Sequence, residues 1–311
     1  MVPKWCRWAG AAAMVIVATA ACGADDGEKP ASQATGTATT GQAPDTGKFV
    51  PRYDRAIFSE EAKAGKSVAQ DNKILEDLAQ DMGAMYRLPK DIPVVGMECG
   101  AFNAFWDPDS QSIVLCYEMF AVAEEYAKAQ SEGRPDYFNV YFDGVTRMIA
   151  FHESAHMAIS LFSLPTTGRE EDSADQLAAL LQLTDPGPSG AGGVAAAADF
   201  WFDISDDPAA FDADTFADEH SLSQVRGYNL LCWVYGALPD VLSVLVTMPG
   251  EPEQEGRLPY ERAEGCVDEY KQMRAAWATL LKPYIEVELG VSDDMGTTTM
   301  GAQPTTTIPT R

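Results

Sequence analysis

His152-Glu153-Ser154-Ala155-His156 brings two imidazoles and a carboxylate into five consecutive residues, in a chain of 311 residues with only three histidines. On an α-helix, residues i and i+4 lie on one face, so the two rings would stand side by side. Two imidazoles in that arrangement can hold one metal ion. Glu153 follows the first of them directly and is placed to take and return protons beside the metal. The chemistry predicted is activation of a water molecule at a metal centre.

Zinc bound for catalysis takes three protein ligands and keeps one position open. His152 and His156 supply two, and the third must come from a nearby His, Asp or Glu. Leu164-Pro165 ends the helix carrying the histidines, and Gly168 helps to reverse the chain. A new helix is expected from about Glu170, packed antiparallel to the first. Glu171 falls in its first turn, where the helix dipole favours the ionised carboxylate that a metal needs. Asp175 lies four residues on, on the same face, placed to accept the outer N–H of a ligating imidazole. Glu170 and Asp172 flank Glu171 and are expected on the solvated side of the helix.

Glu171-Asp172-Ser173-Ala174-Asp175 has the form E-x-x-A-D, which resembles the second zinc motif of the gluzincin metallopeptidases. There the first glutamate is the third ligand and the aspartate supports a histidine. Phe151 to His156, followed by Gly168-Arg169-Glu170-Glu171-Asp172, is similar to an uncharacterised bacterial family described as metallopeptidases. The similarity extends from Cys99 and Cys116-Tyr117-Glu118 to Cys232-Trp233 and Cys266. It implies a zincin-like domain, one Zn2+ ion and a peptide or protein substrate of unspecified sequence. The gap between His156 and Glu171 is shorter than in many gluzincins, which keeps Glu170 and Asp172 as alternatives for the third ligand.

With such a centre, Glu153 would be the general base that takes the water proton and passes it to the leaving amine. The oxygen of the tetrahedral intermediate needs a hydrogen-bond donor. His220, in Asp218-Glu219-His220, is one candidate, although a histidine at a helix start also serves as a cap. Tyr228 and Arg226, on the helix that follows, are the others; Tyr228 is also a candidate core aromatic. The β-rich stretch 113–117 is either an edge strand that pairs with an extended peptide or a core strand. Residues 199–219 hold seven Asp and one Glu without the spacing of an EF-hand loop, and are expected to be a solvated acidic segment.

The elements that must position these groups follow from periodicity. Residues 57–86 show helical spacing, broken afterwards by Leu88-Pro89 and Ile92-Pro93. Residues 94–97 and 101–106 read as extended, Asp107-Pro108-Asp109-Ser110 as a turn, and 112–117 as a strand. Helices are expected over 118–130, 137–164, 170–183, 195–204, 221–235 and 260–281. The fold class is α+β, mainly helical, with a small sheet or hairpin and an active-site helix.

Residues 1–21 read as a signal peptide, with Lys4 and Arg7 before a short apolar run. Thr19-Ala20-Ala21-Cys22-Gly23 resembles a lipobox, which makes Cys22 the lipidated residue of a membrane-anchored lipoprotein; cleavage and plain secretion is the alternative. Residues 22–49 lack hydrophobic periodicity and are expected to be a disordered tether, and 291–311 a disordered tail. The folded domain is placed at 50–290. Four cysteines remain there, an even number in an exported chain, and proximity in sequence favours Cys99 with Cys116 and Cys232 with Cys266. The formal charge of −25 repels nucleic acid and excludes it as a partner. The expected function is that of an extracytoplasmic zinc metallopeptidase. The competing readings are a non-catalytic zincin-fold binding module and a structural lipoprotein in which the histidine motif has no role.

Overall fold

Helix α4 (Pro135–Phe162) is the element around which the other layers assemble. It opens with Pro135 at its first turn, where the missing N–H costs nothing. It closes at Ser163, which takes a left-handed conformation just before Leu164-Pro165. Its residues from Val145 to Ile159 are buried except for the partly exposed Arg147 and His156, so it is a core helix and not a surface one. The structure is a computed structural model, and it describes residues 42–205, 211–250, 252 and 257–291. The expected signal peptide, Cys22, the tether as far as residue 41 and the tail from 292 lie outside the described residues.

Three strands before α4 and one more at the start of the domain form a four-stranded sheet. These are β1 (Phe49–Tyr53), β2 (Ile92–Met97), β3 (Ala104–Asp107) and β4 (Ser112–Cys116), in the order β1-β2-β4-β3. β1 and β4 both run parallel to β2, and β3 runs antiparallel to β4. The Asp107–Ser110 turn expected from the sequence makes the β3–β4 hairpin, with Asp107 accepting from the Asp109 N–H and the Ser110 hydroxyl. β4 is interior and buried at every position, so the stretch 113–116 is a core strand and not the edge, and Tyr117 already begins the next helix. The free edge near α4 belongs to β3.

Two helices precede the sheet's second strand where the sequence periodicity suggested one. α1 (Glu60–Asp71) starts on Ser59, whose hydroxyl accepts the Ala62 N–H. The chain breaks at Asn72-Lys73, with Lys73 at a positive φ of 54°, and resumes as α2 (Ile74–Met85). Both helices keep an apolar face, which is why the periodicity runs across the break. After β4 come α3 (Tyr117–Ser131), α4, α5 (Glu170–Gln182), α6 (Ala191–Asp203), the short α7 (Ala213–Ala217) and α8 (Ser223–Ala237). A two-stranded pair, β5 (Val246–Thr247) and β6 (Leu258–Pro259), follows. The last expected helix is split at Glu264-Gly265 into α9 (Tyr260–Ala263) and α10 (Cys266–Leu281).

The fold is therefore mainly helical with a small mixed sheet. One hydrophobic core runs from the sheet through α4 into α5, α6, α8 and α10. Cys99 is bonded to Cys116, and Cys232 to Cys266, the pairing expected from proximity. Within the stretch read as a tether, Thr46 and Gly47 donate their N–H groups to the Leu88 carbonyl. Among the described residues, no helix is long and apolar enough to cross a membrane.

Candidate metal centre

α4 and α5 meet face to face at the two motifs. The contacts pair His152 with Asp175 and Glu171, and His156 with Glu171 and Glu170. Numbers rise along α4 as they fall along α5, so the helices are antiparallel. Farther up the same seam, Gln182 donates to the Gly144 carbonyl.

His152 Nε2, His156 Nε2 and Glu171 Oε2 converge. The two nitrogens are 3.1 Å apart, and the oxygen lies 3.0 Å from the first and 3.2 Å from the second. Among the described residues these three are the group able to hold a metal ion. Atoms bound tetrahedrally at 2.0–2.1 Å from zinc are about 3.3 Å apart, so the donor set fits the ion. The outer nitrogens support the fit. His152 Nδ1 is 2.8 Å from Asp175 Oδ1, and His156 Nδ1 is 2.9 Å from Glu170 Oε1. A carboxylate can only accept there, so each Nδ1 carries the hydrogen and each Nε2 lone pair is left for the metal.

Charges around the centre are strongly perturbed. Burial alone would lower the His152 pKa, but Asp175 and Glu171 outweigh it and hold the imidazolium up to about 9. His156 is also raised, with burial opposed by Glu171 and Glu170. Burial would raise Glu171, but its three histidine partners hold it far below the usual carboxylate range. Asp175 is held low in the same way, burial being overcome by Arg226 and His152. Glu153 goes the other way: burial raises it more than the two histidines lower it. Its Oε2 accepts the Trp106 N–H at 2.9 Å, so the edge strand β3 fixes the carboxylate beside the metal ligands.

The remaining expected residues separate. His220 Nε2 is 2.9 Å from Glu171 Oε2, which places this half-exposed ring at the centre. Tyr228 packs edge-on against Phe202 and is not part of the cleft wall. Arg226 is buried and donates to both oxygens of Asp175, at 2.7 and 2.8 Å, with its guanidinium 3.8 Å from the Trp201 ring centre. It holds the aspartate that holds His152. Glu170 and Asp172, expected on the solvated side, are both engaged: Glu170 with His156 and Asp172 with the Ser221 hydroxyl at 2.6 Å. The antiparallel register was the missing signal for Glu170. Contacts that move toward the N-terminus of α5, from Asp175 through Glu171 to Glu170, move one turn forward along α4, from His152 to His156. No residue type marked the Trp106 N–H, because a backbone donor carries no signature in sequence.

A cleft of about 540 Å³ opens onto His152 and Glu153. Its walls include Phe102, Met148, Trp201 and Phe211 on one hand and Asp214, Asp218 and His220 on the other. The buried His152, the partly buried His156, the fixed carboxylate and an open cleft form a site able to bind a metal and to move a proton beside it.

No curated protein and no solved structure matches the chain. The profile of one protein family, described as "Putative metallopeptidase", matches residues 55–281, which spans β2, β3 and β4 of the sheet, both histidine and glutamate motifs, His220 and both disulfides. With that match covering most of its length, the chain belongs to this metallopeptidase family.

Proposed function

We propose that the protein is a zinc-dependent peptidase that hydrolyses peptide bonds in the cleft beside α4. The observation that carries this reading is the convergence of His152 Nε2, His156 Nε2 and Glu171 Oε2 next to the buried Glu153 carboxylate. Two imidazoles and a carboxylate are a donor set typical of catalytic zinc. Bound there, zinc would acidify a water molecule and polarise the substrate carbonyl.

The residues of the chain divide the remaining work. Glu153, with its pKa raised by burial, is suited to take a proton and to give it back to a leaving amine. The Trp106 N–H holds one of its oxygens, so the carboxylate is oriented before substrate arrives. His220 is the donor closest to Glu171 and serves the oxygen of the tetrahedral intermediate. Asp175 and Glu170 fix the two ligand rings, and Arg226 fixes Asp175.

We further propose that this chemistry takes place outside the cytoplasm, on a lipoprotein anchored at Cys22. The two disulfides and the leader-like N-terminus support that location. Hydrolysis of a quenched-fluorescence peptide library by the zinc-loaded full chain tests the function. Cleavage is expected in the wild type and a loss of about 10³-fold or more in Glu153→Gln, with zinc content unchanged. Zinc binding without cleavage in the wild type would instead support the non-catalytic binding module.

A further inference from the structure

We propose that the first turn of α5 carries a clamp for His220 as well as the metal-ligating carboxylate, with Arg169 and Asp172 as its positioning residues. The proposal rests on the peptidase reading for what His220 does, but not for how it is held.

The segment 218–221 between α7 and α8 has no regular structure, and the His220 side chain is 42% exposed. An exposed ring on an irregular segment ordinarily moves among rotamers on a fast timescale. Here three side-chain contacts from the N-cap and first turn of α5 hold the segment that carries the ring. Arg169 donates through one guanidinium nitrogen to the Asp218 carbonyl at 3.2 Å and to the His220 carbonyl at 3.1 Å. Asp172 accepts from the Ser221 hydroxyl at 2.6 Å. Each bond has one charged partner, which makes it stronger than a neutral one. Asp218 closes the loop from inside: its carboxylate accepts the His220 N–H at 2.8 Å and lies 3.4 Å from His220 Nδ1.

The result is one rigid piece. Arg169, Glu171 and Asp172 stand within a single turn, with Glu171 meeting His220 Nε2 from its middle. The turn that delivers the third ligand therefore also sets the distance between His220 and the metal donors. A donor displaced by about 1 Å costs up to about a hundredfold in rate, so the clamp is expected to act on turnover and not on metal binding.

The chain's three histidines make the test direct. In the zinc-loaded full-length protein, labelled with ¹³C-histidine, each ring gives its own signal, and His220→Gln assigns one of them. The expected result is a rigid His220 ring in the wild type and a mobile one in Arg169→Met and in Ser221→Ala. The His152 and His156 rings and the zinc content should be unchanged in both variants. Peptide hydrolysis by Arg169→Met should fall about 10- to 100-fold in kcat with KM preserved, and Arg169→Lys should recover part of the loss. A His220 ring that is mobile in the wild type, or equally rigid in both variants, overturns the proposal. So does loss of zinc together with mobility of all three rings in both variants, because the clamp would then be a general support of α5. If the wild type cleaves nothing, ring relaxation and zinc content still decide the clamp, and only the catalytic role falls.

Discussion

Glu171 is the residue on which the centre turns, because three imidazole nitrogens meet one of its oxygens. The arrangement makes metal and proton direct competitors. The carboxylates that steady the rings also raise their proton affinity, His152 to about 9 and His156 in the same direction. Folded-state values above the ordinary histidine value mean that a proton occupies the His152 ring below about pH 9 and leaves above it, and that His156 also holds its proton to higher pH than a free imidazole. Zinc affinity should therefore fall as the pH is lowered from about 9 to about 6, with protons released on binding. Titration calorimetry in buffers of different ionisation enthalpy measures that release directly. An affinity independent of pH over this range would contradict the coupling. At this scale the sequence was legible for residues with a spacing: His152, Glu153, His156, Glu171 and Asp175 stand where their positions on helices put them. Arg226 was legible as a charged residue near the site but not as the partner of Asp175, because a contact across 51 positions has no periodicity to announce it.

The elements decide whether those residues meet. α4 crosses α6 at Gly144 and Gly193, where a Cβ on Gly144 would come within 2.5 Å of the Gly193 Cα. Backbone lies against backbone there, so nothing flexible can yield. Gly144→Ala should force the helices apart and cost about 1–3 kcal/mol or more, read as a lower midpoint in thermal unfolding. An unchanged midpoint would show that the crossing relaxes freely. Helix existence was readable from apolar spacing, and α4 and α5 lie close to their expected limits. Two breaks were hidden: at Asn72-Lys73 because each flanking helix has helical apolar spacing of its own, and at Glu264-Gly265 because the apolar face continues at helical spacing from Ala263 to Cys266 and Tyr270. The sheet was partly readable. The turn before β4 has Pro, Asp and Ser in a recognisable order, but which strand lies at the edge depends on β1 and β2 pairing from far away in sequence.

At the scale of the molecule, the two disulfides tie together the parts that frame the centre. Cys99–Cys116 joins the loop after β2 to the end of β4, and Cys232–Cys266 joins α8 to the start of α10. α8 bears Arg226, so the second bridge braces the helix that holds Asp175. Each bridge is expected to contribute about 2–4 kcal/mol. Denaturant unfolding with and without reductant should show a loss of that size per bridge, and an unchanged midpoint would mean that the core alone sustains the fold. The pairing was readable from cysteine count and proximity. The centre itself is the sterner test. Metal analysis of the purified full-length chain should find one zinc ion per wild-type molecule and almost none in Glu171→Ala. Wild-type protein without stoichiometric zinc, or a zinc content indifferent to Glu171→Ala and His156→Ala, would contradict the central claim.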